Sequence, residues 1–196
     1  MYVHQTPVGA PAPILLLAGL ILFCLLLMIK SGGPSGEAGA KRSRLSLLGI
    51  AIQFLSFLAV GFGEVTIRYA STSPEALEQA GVTLLLVATT CGLFAASKRA
   101  LGRNWSLVAR TRSDHELVTW GPFAYARHPI YSALFLWMIA MAVAFGHYWG
   151  LILAVPLYWI GTILRVREEE RLLRAQFGAD YEAYARRVKR FLPGII

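Results

Sequence analysis

The feature that most constrains this chain is the way its charges are parted by apolar runs. Five stretches, Pro13–Ile29, Leu45–Ile67, Ala80–Ser97, Ile130–Gly146 and Trp149–Val166, are almost free of charge. Each is close to or above the ~17–25 residues a helix needs to cross hydrocarbon at about 1.5 Å per residue. If all five cross, with the N-terminus outside, eighteen of the nineteen Lys and Arg residues fall on one side, leaving only Arg68 on the other. That split sets an N-out, C-in topology by the positive-inside rule. Eight of the eleven acids lie on the same side, so its excess is ten positive charges. Such a face suits anionic lipid headgroups, and nucleic acid is not an expected partner.

Composition agrees. Of 196 residues, 56% are hydrophobic and 15% charged, against roughly 25% charged in average soluble domains. A soluble enzyme, a disordered tail and a disulfide scaffold are thereby disfavoured. Cys24 and Cys91 each lie inside an apolar run and read as buried thiols, with no metal site implied. The expected fold is all-α: a polytopic integral membrane protein of about five helices with a helical C-terminal cap. Residues 1–97 would hold three spans and a cytosolic linker, 30–44. Residues 98–196 would hold the working half: a cytosolic loop, a helical hairpin over 130–166 and amphipathic helices.

Local signals refine this. Ser31-Gly32-Gly33-Pro34-Ser35-Gly36 reads as a flexible linker. Ala38-Gly39-Ala40 resembles a signal-peptidase site, but positions 1–12 lack a basic n-region, so retention is expected. Glu64 and Arg68 are spaced to share a helical face. Pro74 reads as a helix start, and Pro156 should kink the fifth span. His147-Tyr148-Trp149 reads as an interfacial anchor. Beyond Val166 an amphipathic helix runs to a stop at Gly178, followed by a turn or two carrying Tyr181, Tyr184 and Val188.

Two polar clusters bear on chemistry. Arg127-His128-Pro129-Ile130-Tyr131 opens the fourth span, and Arg165, Glu168, Glu169 and Glu170 end the fifth. A tight outer turn makes these spans an antiparallel hairpin, so the clusters should meet at the membrane boundary. Pro129 pre-sets the first turn, and the helix dipole there favours a neutral His128. Arg165 and Glu169 are four apart, placed to hold an anion and a cation in one pocket, although an Arg–Glu helix end is also an ordinary solvated cap. No HExxH, Cys cluster, Walker loop, dinucleotide fingerprint or nucleophile elbow is present, and no metal is expected.

These residues resemble a known family. Leu117-Val118-Thr119-Trp120-Gly121-Pro122-Phe123, Arg127-His128-Pro129-Ile130-Tyr131, Arg165 with Glu169-Glu170 and Leu173, Phe177-Gly178 with Tyr181 and Tyr184, and Leu192-Pro193 look like the isoprenylcysteine carboxyl methyltransferase family. The likeness covers roughly Leu101 to Ile196. It implies methyl transfer from S-adenosyl-L-methionine to the carboxylate of a prenylated cysteine, at the cytosolic face of a bacterial inner membrane or endoplasmic reticulum. It also implies cofactor-binding roles for His115, Glu116, Leu117, Val118, Phe123, His128, Pro129, Ile130, Tyr131 and Glu169. Arg165 resembles the substrate-binding arginine, and Arg127 joins it as a candidate catalytic residue.

Phe123 departs from the family's usual Tyr, and Ala133 from its frequent Gly. The partners implied are the bilayer and a hydrophobic or prenylated acceptor, with no obligate protein partner evident. The alternatives are a phospholipid N-methyltransferase, a small-thiol S-methyltransferase, an NADPH-dependent membrane reductase and a non-enzymatic membrane protein.

Overall fold

A computed structural model describes residues 6–29, 43–105 and 116–194. Five helices account for most of it: α1 (Pro11–Met28), α2 (Arg44–Gly61), α3 (Pro74–Leu101), α4 (Pro129–Phe145) and α5 (Gly150–Arg187). The signals for their starts are local. Ser43 and Ser73 cap α2 and α3, each hydroxyl accepting from the backbone N–H three residues on. Proline stands in the first turn of α1, α3 and α4, where its missing N–H costs nothing.

The helices are inside-out relative to a soluble bundle. Large apolar side chains such as Ile14, Leu17, Phe54, Leu85 and Ile152 are exposed, whereas Thr83, Thr90, Ser97, Ala133 and Ala140 are buried between helices. Small and hydroxylic residues let backbones approach where lipid, not water, is the surrounding solvent. Gly19 shows how close: a Cβ there would lie 2.3 Å from Val87 Cγ1. Four helices are long and apolar enough to cross a membrane, and α4, with 17 residues, is the shorter fifth. The chain is an all-α polytopic membrane protein.

Packing follows two seams. α3 lies between α1 and α4, and α5 lies along α2. α4 and α5 also share a core of Met138, Ala142, Ala154 and Tyr158 with Val60 of α2. At about 1.5 Å per residue the 38 residues of α5 outrun the ~30 Å of hydrocarbon, so its part beyond Val166 projects past the apolar layer.

Several expectations need correcting. The second span stops at Gly61, not Ile67. Its continuation turns back as strand β2 (Ile67–Tyr69), which pairs in parallel with β1 (Val8–Gly9). Glu64 and Arg68 therefore share no helical face. α3 does begin at Pro74, the expected helix start, and the apolar run from Ala80 is its continuation. α5 keeps helical angles through Pro156. Its break lies at Gly178, at φ 48°, where the sequence had placed a stop.

His147 is no interfacial anchor. It is buried, with Nδ1 2.8 Å from the carbonyl of Val60 and Nε2 3.1 Å from that of Glu64, and it pins the end of α2 to the hairpin turn. Cys91 is buried between helices, and Cys24 lies on the outward apolar face of α1. The linker 31–36 and Ala38-Gly39-Ala40 lie outside the described residues.

Candidate active site

The two polar clusters do meet. Pro129 occupies the first position of α4, His128 is its N-cap residue, and both ring nitrogens of His128 face α5. Nδ1 stands 3.5 Å from Glu169 and Nε2 3.4 Å from Glu170. One turn into α4, the Tyr131 hydroxyl donates to Glu169 at 2.5 Å. Tyr158 donates to the Tyr131 backbone carbonyl at 2.5 Å, tying the two helices together just inside the junction.

Glu170 is the hub of this junction, and only 1% of its side chain is exposed. It accepts from Arg127 at 2.9 Å, from Arg190 at 2.8 and 3.0 Å, and from Arg174 at 3.3 Å. Arg127 reaches further, donating to the carbonyls of Ala185 and Val188. Its guanidinium thus fastens the C-terminal segment. The backbone repeats the connection: Arg127 N–H donates to Lys189 and His128 N–H to Arg190, both at 2.8 Å. Ser132 adds a bond to the Phe191 carbonyl at 2.9 Å.

Electrostatics reverses one expectation. Burial by itself would lower the His128 pKa, and the helix dipole acts in the same sense. The hydrogen bonds and charges of Glu169 and Glu170 outweigh burial and raise it above its ordinary 6.5, opposite to the sense the helix dipole alone gives. The carboxylates move the other way. Burial would raise Glu169 and Glu170, but hydrogen bonds led by His128 hold both below the ordinary range.

Above the junction is a cavity of about 280 Å³, near the lower end of small-molecule pockets, roughly 300–1,000 Å³. Its polar side carries Arg127, His128, Arg165 and Glu169. Of the two acids at the junction, Glu169 is the accessible one, at 27% exposure. Its apolar wall comes from Phe23 and Leu27 of α1, Phe94 of α3, Trp105 and Leu134. Glu116, Leu117, Val118, Phe123, Pro129, Ile130 and Tyr131 complete the sequence-predicted set around the same space. His115 lies outside the described residues. The cap also takes part: Leu172, Leu173, Tyr181 and Tyr184 line the cavity from the far part of α5.

Some features of the junction and its cavity carry little signal in the sequence. Glu170 was quoted in its cluster but given no role. The α1 residues Phe23 and Leu27 read only as generic span. Their placement depends on Lys98, whose ammonium donates to the carbonyls of Leu26, Leu27 and Ile29 at 2.6–2.9 Å and lies 4.4 Å from the Trp105 ring centre. Tyr181 stands out in the sequence by its helical spacing and as part of the family resemblance, with no site role attached. Its hydroxyl is buried and has no hydrogen-bond partner among the described residues. The departure at Phe123 leaves its backbone carbonyl accepting from Tyr184 at 2.7 Å. Ala133 is fully buried, and its carbonyl accepts from Thr90 at 3.2 Å.

Comparison with known proteins gives this geometry a context. Residues 81–175 match the isoprenylcysteine carboxyl methyltransferase (ICMT) family. The protein-S-isoprenylcysteine O-methyltransferase of Schizosaccharomyces pombe is 35% identical over 94 residues, covering 47% of this chain and 40% of that protein. A probable protein-S-isoprenylcysteine O-methyltransferase of Oryza sativa subsp. indica is 32% identical over 96 residues, covering 48% and 50%. The nickel-cobalt-cadmium resistance protein NccN of Alcaligenes xylosoxydans xylosoxydans is 33% identical over 108 residues, covering 53% and 49%. The chain spans half or less of the length of these relatives. Residues 81–175, the stretch that builds most of the cavity, are thus similar to the isoprenylcysteine carboxyl methyltransferase family.

Proposed function

We propose that this protein is an integral membrane methyltransferase that uses S-adenosyl-L-methionine and methylates the carboxylate of a prenylated cysteine or a closely related lipid-like acid. The observation that carries the reading is the two-sided cavity, polar at Arg165 and Glu169 and apolar at Phe23, Leu27 and Phe94. One ligand part is ionic, the other greasy, and the site lies where α4 and α5 leave the apolar layer. We place this end on the cytosolic side, as the basic residues require.

The residues fit the cofactor. Glu169 offers an accessible carboxylate for an ammonium or ribose hydroxyls. When bound, the cofactor supplies an electrophilic sulfonium methyl. Arg165 binds the acceptor carboxylate, using the forked geometry that suits guanidinium to an oxyanion. The carboxylate is already ionised near neutral pH, so no general base is required. Tyr131 and His128 hold Glu169 in place. The apolar wall excludes water, and alignment of the acceptor supplies the rate. Arg127 is a positioning residue here, because its guanidinium binds Glu170 and the C-terminal carbonyls.

The test is transfer of labelled methyl from S-adenosylmethionine to N-acetyl-S-farnesylcysteine by the purified protein, with phosphatidylethanolamine and a small alkyl thiol as competing acceptors. Label on the farnesylcysteine is expected. Label on the amine or thiol alone would reassign the acceptor, and no label on any of them would overturn the activity.

A further inference from the structure

Gln53 is a polar side chain in the middle of an apolar helix, and it is only 4% exposed. Inside a membrane span such a group is costly unless it is fully bonded, and it usually marks function. Its bonds are specific. The Gln53 amide donates to Thr162 Oγ1 at 2.7 Å, and its Oε1 accepts from Arg165 Nη1 at 2.9 Å. Arg165 itself lies over the Tyr131 ring, 5.0 Å from its centre, at the cavity wall.

The helix crossing is shaped for this contact. A Cβ on Gly49 would lie 2.5 Å from Arg165 Cγ and 2.7 Å from the Gly161 carbonyl. A Cβ on Gly161 would lie 2.7 Å from the Gly49 carbonyl and 2.9 Å from Gln53 Cγ. Two glycines thus bring α2 against α5 at the level where Gln53 can reach Arg165. Thr162 fixes the amide so that its oxygen, not its nitrogen, faces the guanidinium.

We infer that Gln53 is a positioning residue for the acceptor: clamped by Thr162, it holds the Arg165 guanidinium at the cavity wall against the Tyr131 ring, ready for an acceptor carboxylate. Gln53 lies outside the family-matched residues 81–175, so α2 completes a site that the matched segment does not finish alone. The inference rests on the proposed role of Arg165 in binding an acid.

The test is a double-mutant cycle on full-length protein in detergent, reading the affinity for N-acetyl-S-farnesylcysteine without cofactor. Gln53→Leu and Arg165→Ala should each weaken binding by about tenfold or more, and the double variant should be no worse than Arg165→Ala, because coupled residues are not additive. S-adenosylmethionine affinity should change less than about threefold in Gln53→Leu, a split that general unfolding would not give. Gln53→Glu keeps an acceptor for Arg165 but occupies its charge, so it should fold and still lose acceptor affinity. Thr162→Val, which frees the amide to turn, should give a smaller loss in the same direction. Additive effects, or wild-type acceptor affinity in both Gln53 variants, would overturn the positioning role. Absence of acceptor binding by the wild type would instead overturn the acid-acceptor reading beneath it.

Discussion

Glu170 and Arg127 form a buried ion pair, 2.9 Å apart, between α5 and the residue preceding the N-cap of α4. With Arg174, Arg190 and His128 on the same carboxylate, this pair joins both ends of the cavity floor to the C-terminal segment. Removing the acid leaves a buried cation uncompensated. Glu170→Ala should therefore cost about 3–5 kcal/mol, the range for breaking a buried pair. Arg190→Ala, at a half-exposed partner, should cost no more than about 1 kcal/mol. Unfolding midpoints in detergent and denaturant would check the ratio.

The same junction predicts a bell-shaped pH dependence of stability. Folded Glu170 titrates below its ordinary 4.5 because the bonds from His128, Arg190 and Arg127 outweigh burial. Its stabilisation is present above that value and is lost as pH falls through the depressed pKa. Folded His128 titrates above its ordinary 6.5, against the sense of burial, because of Glu169 and Glu170. Its stabilisation is full below 6.5 and is lost as pH rises through the raised pKa. Melting temperatures taken from about pH 3 to about pH 9 should fall on both sides of a plateau. Glu170→Gln should flatten the acid limb, and His128→Gln the alkaline one.

Glu169→Gln tests the cofactor side of the cavity. Losing a charged acceptor costs about 1.5–3 kcal/mol, roughly ten- to a hundredfold in affinity for S-adenosylmethionine. Calorimetric titration would measure it. Acceptor affinity should change less, because Arg165 carries that contact.

Lys98 tests the apolar wall. Lys98→Met removes all three donors to the end of α1. A loss of about 2–3 kcal/mol is expected from unsatisfied helix-end carbonyls. Phe23 and Leu27 lie on the loosened turn, so the KM for a prenylated acceptor should rise more than that for the cofactor.

Much of this was legible because membrane spans leave strong local marks. Five apolar runs became five helices, and the pairing of Arg127–Tyr131 with Arg165–Glu170 followed from a two-ended hairpin. The overshoot at Ile67 has a plain cause: the residues after Gly61 remain largely apolar, and hydropathy alone does not distinguish a helix from a short strand closing on β1. Charge misled at His128, where the helix dipole was legible but the carboxylates reaching it from about forty residues away were weighed only as neighbours. Gln53 carried a visible signal, a lone amide in an apolar run. Its partner Arg165 is 112 positions distant, so only the crossing of α2 and α5 shows what the amide holds.

The most direct measurement is a structure of the purified protein with S-adenosylhomocysteine bound. The nucleoside should lie between residues 116–131 and Glu169, with its thioether facing the side of the cavity that holds Arg165. Density for it elsewhere on the protein, with this cavity filled by its own side chains, would contradict the account.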